Sequence, residues 1–322
     1  HDVGIQGLSW NAALQAMLVF YTNGNLDLLQ GEGSYNIGDI KRSSIVGDKG
    51  VYSVYMSGTK AYLGCGFGIV MLDLASREVR ETWFVGPGGA QVRVNGITMT
   101  NDSIYAATES GLYVAARNAA NLAFFENWHR RTDMGAALSS GPFNAVASFG
   151  DKLVLNAPRA TGGDSLLILG ADGSWTRFEP LFGKANRSVV VSGDGQRLTV
   201  ANASEVHVYD PGLQLVHHVW DLQGQYISPQ QAITTNAGHL WVADERHGLM
   251  HLGGGPHFRV LPNGPRTSSS WRMAAAGGSV YVPTGALTGT WANQYRHEGI
   301  HILQGGQWST VDRTDNSFMS GV

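Results

Sequence analysis

The sequence lacks the features that would tie a small fold together covalently or direct it to a polyanion. Its 322 residues include one cysteine, Cys65, so no internal disulfide can form and the redox compartment cannot be read from cysteine usage. Charged residues make up 15%, well below the roughly 25% of an average soluble domain. The 22 Lys and Arg against 25 Asp and Glu give a net charge of −3, which argues against nucleic acid as a partner.

Long apolar runs are also missing. The longest candidates, such as residues 16–21, have the length of a strand, whereas a membrane-spanning helix needs about 20 apolar residues. We therefore expect no membrane span in this chain. It starts at His1 without a signal peptide, so we interpret it as processed or as a fragment of a longer multidomain protein.

What the sequence has in abundance is glycine and apolar residues. Glycine accounts for 43 of 322 residues, about 13% against a usual value of about 7%, and only 10 prolines accompany it. Hydrophobic residues make up 43% and aromatic residues 10%. This composition predicts many turns around a large core.

A repeat runs along the chain. Each copy is a strand-like run, a patch of small residues, a turn and a second strand, and seven copies occupy residues 17–29, 60–72, 103–114, 153–169, 198–209, 239–252 and 280–303. Their turn residues are Gly24, Gly68, Gly111, Asp164, Glu205, Gly248 and Gly299, so the spacings are 44, 43, 53, 41, 43 and 51 residues. Periods of about 40 to 50 residues without a helical 3.6-residue pattern are typical of propeller blades. We predict an all-β fold, a seven-bladed β-propeller of four-stranded antiparallel blades that forms a single domain over residues 1–322.

Local features fit this fold. Small residues in the second strands suit crowded packing between blades, namely Gly64, Gly66, Ala106, Ala107, Ala201 and Ala243. Hairpin turns with positive φ are predicted at Asn23-Gly24, Asp172-Gly173 and Asp194-Gly195. Outer strands, each with a tryptophan expected to plug the blade edge, are predicted at 81–84, 124–128, 174–178, 216–220 and 307–311. A short helix is expected near 136–138.

Catalytic and metal-binding signatures are missing from the sequence. It has no zinc-protease pair, nucleophile elbow, phosphate-binding loop, paired-cysteine site or calcium loop. Gly64, Gly66 and Gly68 lie in a hairpin and are not interpreted as a phosphate cradle, and Cys65 is expected to be a buried apolar residue. We predict no enzyme activity, no catalytic residue, no metal and no cofactor.

Two segments are candidate binding sites. The long connection 283–298 contains Trp291, Tyr295, Arg296 and His297, whose flat rings and planar donors suit a sugar or an anionic glycan. The same aromatic residues could instead cover the propeller face. The basic cluster His129, Arg130 and Arg131 is a weaker anion-site candidate, because such clusters are commonly solvated connections between blades.

Three stretches carry a resemblance to a known family. They are residues 23–29 followed by 35–41, residues 61–74, and residues 104–113, with a further similar segment from 277 to 308. The chain resembles the N-terminal propeller of the PorZ family, surface proteins of the type IX secretion system in Bacteroidetes that are related to two-component regulator propellers. The likeness is strongest before residue 135. It implies an exported protein at the outer-membrane surface or in the periplasm, work beside the PorU sortase, and handling of anionic lipopolysaccharide.

Three functions are therefore compatible with the sequence. The first is a non-enzymatic exported binding module that recognises a glycan or a secretion-system component. The second is the periplasmic oligosaccharide-sensing propeller of a hybrid two-component regulator. The third is a propeller lyase or lactonase, which the scarcity of His, Glu and Asp in the predicted inner strands disfavours.

Overall fold

The structure is a computed structural model that describes residues 3–159, 161, 163–253, 257–260, 262–294, 298–313 and 316. The chain divides into two compact units, residues 1–258 and 259–322, which are described separately below. Strands dominate both units, so the predicted all-β class is confirmed.

Six four-stranded sheets begin in the first unit, and in each one consecutive strands are neighbours. Sheet 1 contains β1 (Ile5–Asn11), β2 (Ala16–Tyr21), β3 (Leu26–Gln30) and β4 (Gly33–Ile37). Sheet 2 contains β5 (Val51–Ser57), β6 (Lys60–Cys65), β7 (Gly68–Asp73) and β8 (Glu78–Trp83). Sheet 3 contains β9 (Val94–Met99), β10 (Ser103–Thr108), β11 (Gly111–Ala116) and β12 (His129–Arg130).

The next three sheets repeat the same antiparallel meander. Sheet 4 contains β13 (Ala145–Phe149), β14 (Lys152–Ala157), β15 (Ser165–Leu169) and β16 (Trp175–Arg177). Sheet 5 contains β17 (Asn186–Val191), β18 (Leu198–Asn202), β19 (Val206–Tyr209) and β20 (Leu215–Val219). After a small hairpin of β21 (Asp221–Leu222) and β22 (Gln225–Tyr226), sheet 6 contains β23 (Pro229–Thr234), β24 (Leu240–Asp244), β25 (Gly248–His251) and β26 (Phe258–Val260).

The second unit contains one four-stranded antiparallel sheet. Sheet 7 is formed by β27 (Ala274–Ala276), β28 (Ser279–Pro283), β29 (Ile300–Gln304) and β30 (Gln307–Val311). The connection between β28 and β29 is long, as the sequence predicts. In sheet 2 the equivalent connection is only Gly66 and Phe67.

The sequence repeat corresponds to one recurring piece of structure. Every predicted copy coincides with the hairpin between the second and third strands of a sheet, from β2–β3 in sheet 1 to β28–β29 in sheet 7. The predicted repeat and the four-stranded antiparallel organisation are therefore confirmed.

Helices are short throughout the described residues. They are α1 (Asp39–Arg42) and α2 (Ala136–Ser139), with 3-10 turns at Pro87–Gly89, Phe125–Asn127 and Glu179–Leu181. The helix expected near 136–138 is confirmed. The outer strand predicted at 124–128 is wrong, because a 3-10 turn occupies that segment and the strand is His129–Arg130. No described helix has the length and apolar character that crossing a bilayer requires.

The core of the first unit lies between successive sheets, because a sheet that is apolar on both faces must be covered on both. The first strands of neighbouring sheets meet, as β5 and β9 do. Gly64 shows how closely they pack: a Cβ there would lie 2.3 Å from the Ser53 Oγ and 2.6 Å from the Val94 carbonyl oxygen of the next sheet. The predicted need for small residues is confirmed at Gly64 and at the buried Ala106, Ala107 and Ala201, but is wrong at Ala243, which is exposed.

The tryptophans divide into buried and exposed members. Trp83 and Trp128 are 1% and 5% exposed, and their ring centroids lie 5.9 Å apart, so the predicted plugging role is confirmed for them. Trp220 is 53% exposed, which contradicts that role, since it follows the last residue of the edge strand β20. Cys65 is buried as predicted, and burial raises the pKa of its thiol.

The same two ways of stabilising a turn recur in several sheets. The three predicted turn glycines, Gly24, Gly173 and Gly195, all have positive φ, of 78°, 79° and 70°. In three sheets the last residue of the second strand is polar and buried, and its side chain accepts hydrogen bonds from backbone N–H groups of the following turn. These residues are Thr108, Asn202 and Asp244.

Candidate functional site

The basic cluster begins on the edge strand of sheet 3. His129 and Arg130 form β12 and are exposed. Arg131 follows and pairs with Asp133, its Nε lying 2.9 Å from Asp133 Oδ1. The hydrogen bond from Arg131 lowers the pKa of the Asp133 carboxyl. The charge of Arg131 is thus compensated, which leaves His129 and Arg130 as the open part of the cluster.

Asp133 connects this cluster to a cleft on sheet 4. Its Oδ2 accepts a hydrogen bond of 3.1 Å from the indole Nε1 of Trp175. Trp175 lines a surface cleft of about 480 Å³ whose apolar wall also includes Met134, Phe143 and Leu167. The rim carries two arginines, Arg159 and Arg177. We call this feature the arginine cleft.

Both rim arginines are exposed and lean toward one aromatic ring. The guanidinium carbons of Arg159 and Arg177 lie 5.9 Å and 4.1 Å from the centroid of the Phe182 ring. Arg177 also contacts Glu179, with Nε and Oε1 2.7 Å apart. Among the described residues no carboxylate pairs with Arg159. The cleft thus combines an apolar floor and an indole with one compensated and one uncompensated positive charge.

The predicted site in the second unit is described only in part. Trp291 lies at the tip of the β28–β29 connection, 82% exposed and with φ of 64°. Its N–H donates to the Thr288 carbonyl at 3.0 Å, and the Thr288 N–H donates to the Ala292 carbonyl at 2.8 Å, which holds the tip as a tight turn. Tyr295, Arg296 and His297 lie outside the described residues. The indole of Trp291 is therefore open to solvent on a tight turn.

A third group of polar side chains lies on one face of sheet 5. Glu205 immediately precedes β19, two residues before His207, and His207 pairs in register with His218 of β20. His218 Nε2 lies 2.5 Å from Glu205 Oε2, and His207 Nε2 lies 3.8 Å from the same oxygen. We call these three residues the His–Glu cluster. Its potential ligand atoms all lie within 4.8 Å of one another.

The surroundings fix the cluster's charge states. Burial opposes ionisation of Glu205, but hydrogen bonds from Lys184, 2.6 Å away, and from His218 outweigh it and lower the Glu205 pKa to about 2. Burial, followed by the nearby His218, lowers the pKa of His207 to about 4. At neutral pH the cluster therefore holds an ionised carboxylate and a neutral buried imidazole.

Sequence reasoning missed both the arginine cleft and the His–Glu cluster. Trp175 and Arg177 share the strand β16, but the rest of the cleft comes from β15 and from separate connections, so no single local pattern marks it. The cluster does have a weak signal: Glu205 and His207 are two residues apart and the His217-His218 pair follows in the next strand. Pairing register decides which of those two histidines joins the cluster, and register is not visible in the sequence.

Comparison with known proteins agrees with this geometry. Residues 1–129 match the family model of the N-terminal β-propeller domain of PorZ, a component of the type IX secretion system (TSS9). The predicted resemblance is confirmed. The match covers sheets 1 and 2 and sheet 3 as far as His129.

Solved structures extend the likeness over the rest of the chain. PorZ of Porphyromonas gingivalis, described as an essential bacterial surface component of the type-IX secretion system, superposes with a TM-score of 0.64 at 19% identity over 98% of this chain and 40% of PorZ. The extracellular domain of the putative hybrid two-component system BT3049 of B. thetaiotaomicron gives 0.58 at 13% identity over 98% and 48%. That of the putative one-component system BT4673 gives 0.57 at 13% over 88% and 37%. No curated protein matches the sequence.

These likenesses show a β-propeller fold of the PorZ and two-component regulator type. The chain spans less than half the length of each of these relatives. The arginine cleft, the His–Glu cluster and Trp291 all lie beyond residue 129. They are therefore features of this chain outside the part that matches the PorZ family model.

Proposed function

We propose that this chain is a non-enzymatic, exported binding and scaffold module that resembles PorZ, assists a cell-surface sortase complex of the secretion system, and binds anionic lipopolysaccharide or another glycan. It acts at the outer-membrane surface or in the periplasm. The observation that carries the proposal is the arginine cleft, whose chemistry suits an anionic sugar.

The cleft offers the contacts that such a ligand needs. A sugar ring has an apolar face that stacks on an indole such as that of Trp175, and a phosphate or carboxylate accepts planar hydrogen bonds from a guanidinium. Arg159 supplies a charge that no described carboxylate compensates, while Arg177 is oriented by Glu179 and Phe182. Arg130 on β12 adds a further exposed positive charge close in sequence to Asp133.

The β28–β29 connection is a second proposed contact region. Trp291 presents an open indole, and Tyr295, Arg296 and His297 follow it in sequence. We propose the same stacking and anion recognition for these four residues. We also propose that the seven sheets are the seven blades of one propeller domain. This domain is part of a longer protein.

Titration of the purified chain with anionic lipopolysaccharide tests the glycan proposal. The double variant Arg159→Gln/Arg177→Gln should weaken binding about tenfold, which corresponds to about 1.4 kcal/mol. The matched control is Arg42→Gln, since Arg42 is an exposed arginine paired with Asp39 on α1. Equal affinity for anionic and uncharged glycan, or equal losses in the two variants, would refute the role of the cleft.

A separate binding assay tests the scaffold proposal. We expect the immobilised chain to retain the purified sortase and to leave an unrelated periplasmic enzyme in solution. If the chain binds neither the sortase nor the anionic glycan, the proposed function is wrong.

The second candidate is the oligosaccharide-sensing part of a two-component regulator. The likeness to the BT3049 and BT4673 extracellular domains favours it. The adjoining coding sequence distinguishes the two candidates: a transmembrane helix followed by a kinase supports the sensor, whereas a small β domain beside secretion genes supports the scaffold.

A further inference from the structure

The His–Glu cluster has no part in the glycan and sortase binding proposed above, but its side chains are of types that bind metal ions. Two imidazoles and one carboxylate are the ligand types that zinc takes in proteins, and three protein ligands with one open position form a recurring coordination set. His207 lies on β19 and His218 on the edge strand β20 of sheet 5, and Glu205 immediately precedes β19.

The distances are close to those of a coordinated set. In a tetrahedral site with bonds of about 2.0 to 2.1 Å, neighbouring ligand atoms lie about 3.3 Å apart. The two nitrogen-to-oxygen distances here, 2.5 Å and 3.8 Å, fall on either side of that value. The two imidazole rings are nearly parallel, 18° apart with centroids 4.3 Å from each other, so the rings must tilt toward each other for both Nε2 lone pairs to meet at one ion.

An independent observation is that His207 lacks the partners a buried imidazole normally has. The residue is 7% exposed, its Nδ1 makes no hydrogen bond, and its Nε2 is too far from Glu205 for one. Its ring is held by stacking between His218 and Tyr209, whose centroid is 6.1 Å away. An ion bound at Nε2 would give that nitrogen a ligand bond, whereas the buried Nδ1 would stay without a hydrogen-bond partner.

The surroundings leave one carboxylate oxygen of Glu205 facing the two imidazoles. Lys184 holds the other carboxylate oxygen, Oε1, so Oε2 is the atom that faces both histidines. His218 is 34% exposed through its side chain, which leaves a route for the ion and for a water molecule in the fourth position.

We propose that Glu205, His207 and His218 bind one Zn²⁺ ion through Glu205 Oε2 and the Nε2 atoms of the two histidines. The ion links β19 to the edge strand β20. On binding, the ion takes the place of the proton between His218 Nε2 and Glu205 Oε2, and that proton leaves to solvent through the exposed side of His218. This proposal is independent of glycan and sortase binding, and it assigns the ion a structural role.

Zinc titration by calorimetry tests the site, on protein freed of any affinity tag and treated with chelator. We expect one ion per chain in the wild type. His218→Ala and Glu205→Gln should each weaken binding at least about tenfold. Both should fold normally, because His218 is partly exposed and Gln keeps the size of Glu205.

The neighbouring His217 provides the matched control. It is exposed on the same strand and is not part of the cluster, so His217→Ala should bind zinc like the wild type. Zinc should raise the unfolding temperature of the wild type and of His217→Ala but not that of His218→Ala. Cobalt substitution should give the visible absorption of a four-coordinate site in the same two proteins.

Two results would overturn the proposal. One is a wild-type chain that takes up no zinc in excess over the chelator-treated baseline. The other is undiminished zinc binding by both His218→Ala and Glu205→Gln, which would place the ion elsewhere. In either case the cluster is a hydrogen-bonded ion pair between His218, Glu205 and Lys184.

Discussion

Asp244 offers a sharp test of how the blade turns are stabilised. It is the last residue of β24, is 6% exposed, and accepts hydrogen bonds from three backbone N–H groups. Those of Arg246 and His247 lie 2.8 Å and 2.9 Å from Oδ1, and that of Ser228 points to Oδ2. One carboxylate therefore joins the turn after β24 to the start of sheet 6.

The cost of removing it can be estimated group by group. In Asp244→Ala the Arg246 and His247 N–H groups are near the surface, where water can replace the carboxylate. The N–H of Ser228 is buried, and leaving such a group unsatisfied costs about 1 to 3 kcal/mol. With the two exposed bonds added at a few tenths to 1 kcal/mol each, we expect the free energy of unfolding to fall by about 2 to 5 kcal/mol. Asp244→Asn keeps one acceptor oxygen and the side-chain size, so about half that loss is expected.

Urea unfolding followed by tryptophan fluorescence and circular dichroism measures these changes. The matched control is Asp172→Ala, because Asp172 also accepts from a turn N–H, that of Ser174 at 3.0 Å, but is exposed. It should cost no more than about 1 kcal/mol. The reasoning is refuted if Asp244→Ala unfolds at the wild-type urea concentration, or if the exposed control costs as much as the buried residue.

Three further predictions concern packing and protonation. Gly64→Ala should lower the free energy of unfolding by about 1 to 3 kcal/mol, because its Cβ would meet Ser53 and the Val94 carbonyl oxygen. Gly173→Ala, whose Cβ would lie in open space, should lower it by about 1 kcal/mol because of the positive φ alone. Equal urea midpoints for the two variants would contradict this prediction. Cys65 should not react with a thiol reagent until the chain unfolds, and rapid labelling of the native protein would show that its burial is wrong. Burial lowers the His301 pKa below its usual 6.5, so below that pH the unfolded state binds more protons than the folded state. The free energy of unfolding should therefore fall as the pH drops through 6.5. Urea unfolding of His301→Gln at several pH values should show a weaker dependence on pH.

The fold was largely predictable from the sequence because residues close together along the chain determine each copy of the repeat. Turn glycines such as Gly24 and alternating apolar strands mark each middle hairpin, and the structure places all seven hairpins where the sequence predicts them. The outer strands were less predictable. Residues 124–128 have the composition of a strand, but hydrogen bonds between nearby residues, such as the Trp128 N–H to the Phe125 carbonyl, turn the segment into a 3-10 helix.

The candidate sites were less predictable from the sequence than the fold. The basic cluster His129 to Arg131 and its nearby carboxylate Asp133 are visible in the sequence, but the hydrogen bond from Trp175 to Asp133 joins residues 42 positions apart. Likewise, Lys184 reaches Glu205 from another segment, across 21 positions of the chain. Contacts of this kind follow from tertiary packing, which residue patterns along the chain do not encode locally.

The unequal length of the middle-hairpin connections has an evolutionary consequence. In sheet 2 two residues, Gly66 and Phe67, join β6 to β7, while residues 284–299 join β28 to β29 in sheet 7. Each doubling of such a loop adds only about 0.6 kcal/mol of closure entropy, and the strand pairing beneath it is the same in both sheets. New specificity can therefore be acquired by inserting residues at one hairpin tip, while the hydrophobic contacts that fold the blade are inherited unchanged.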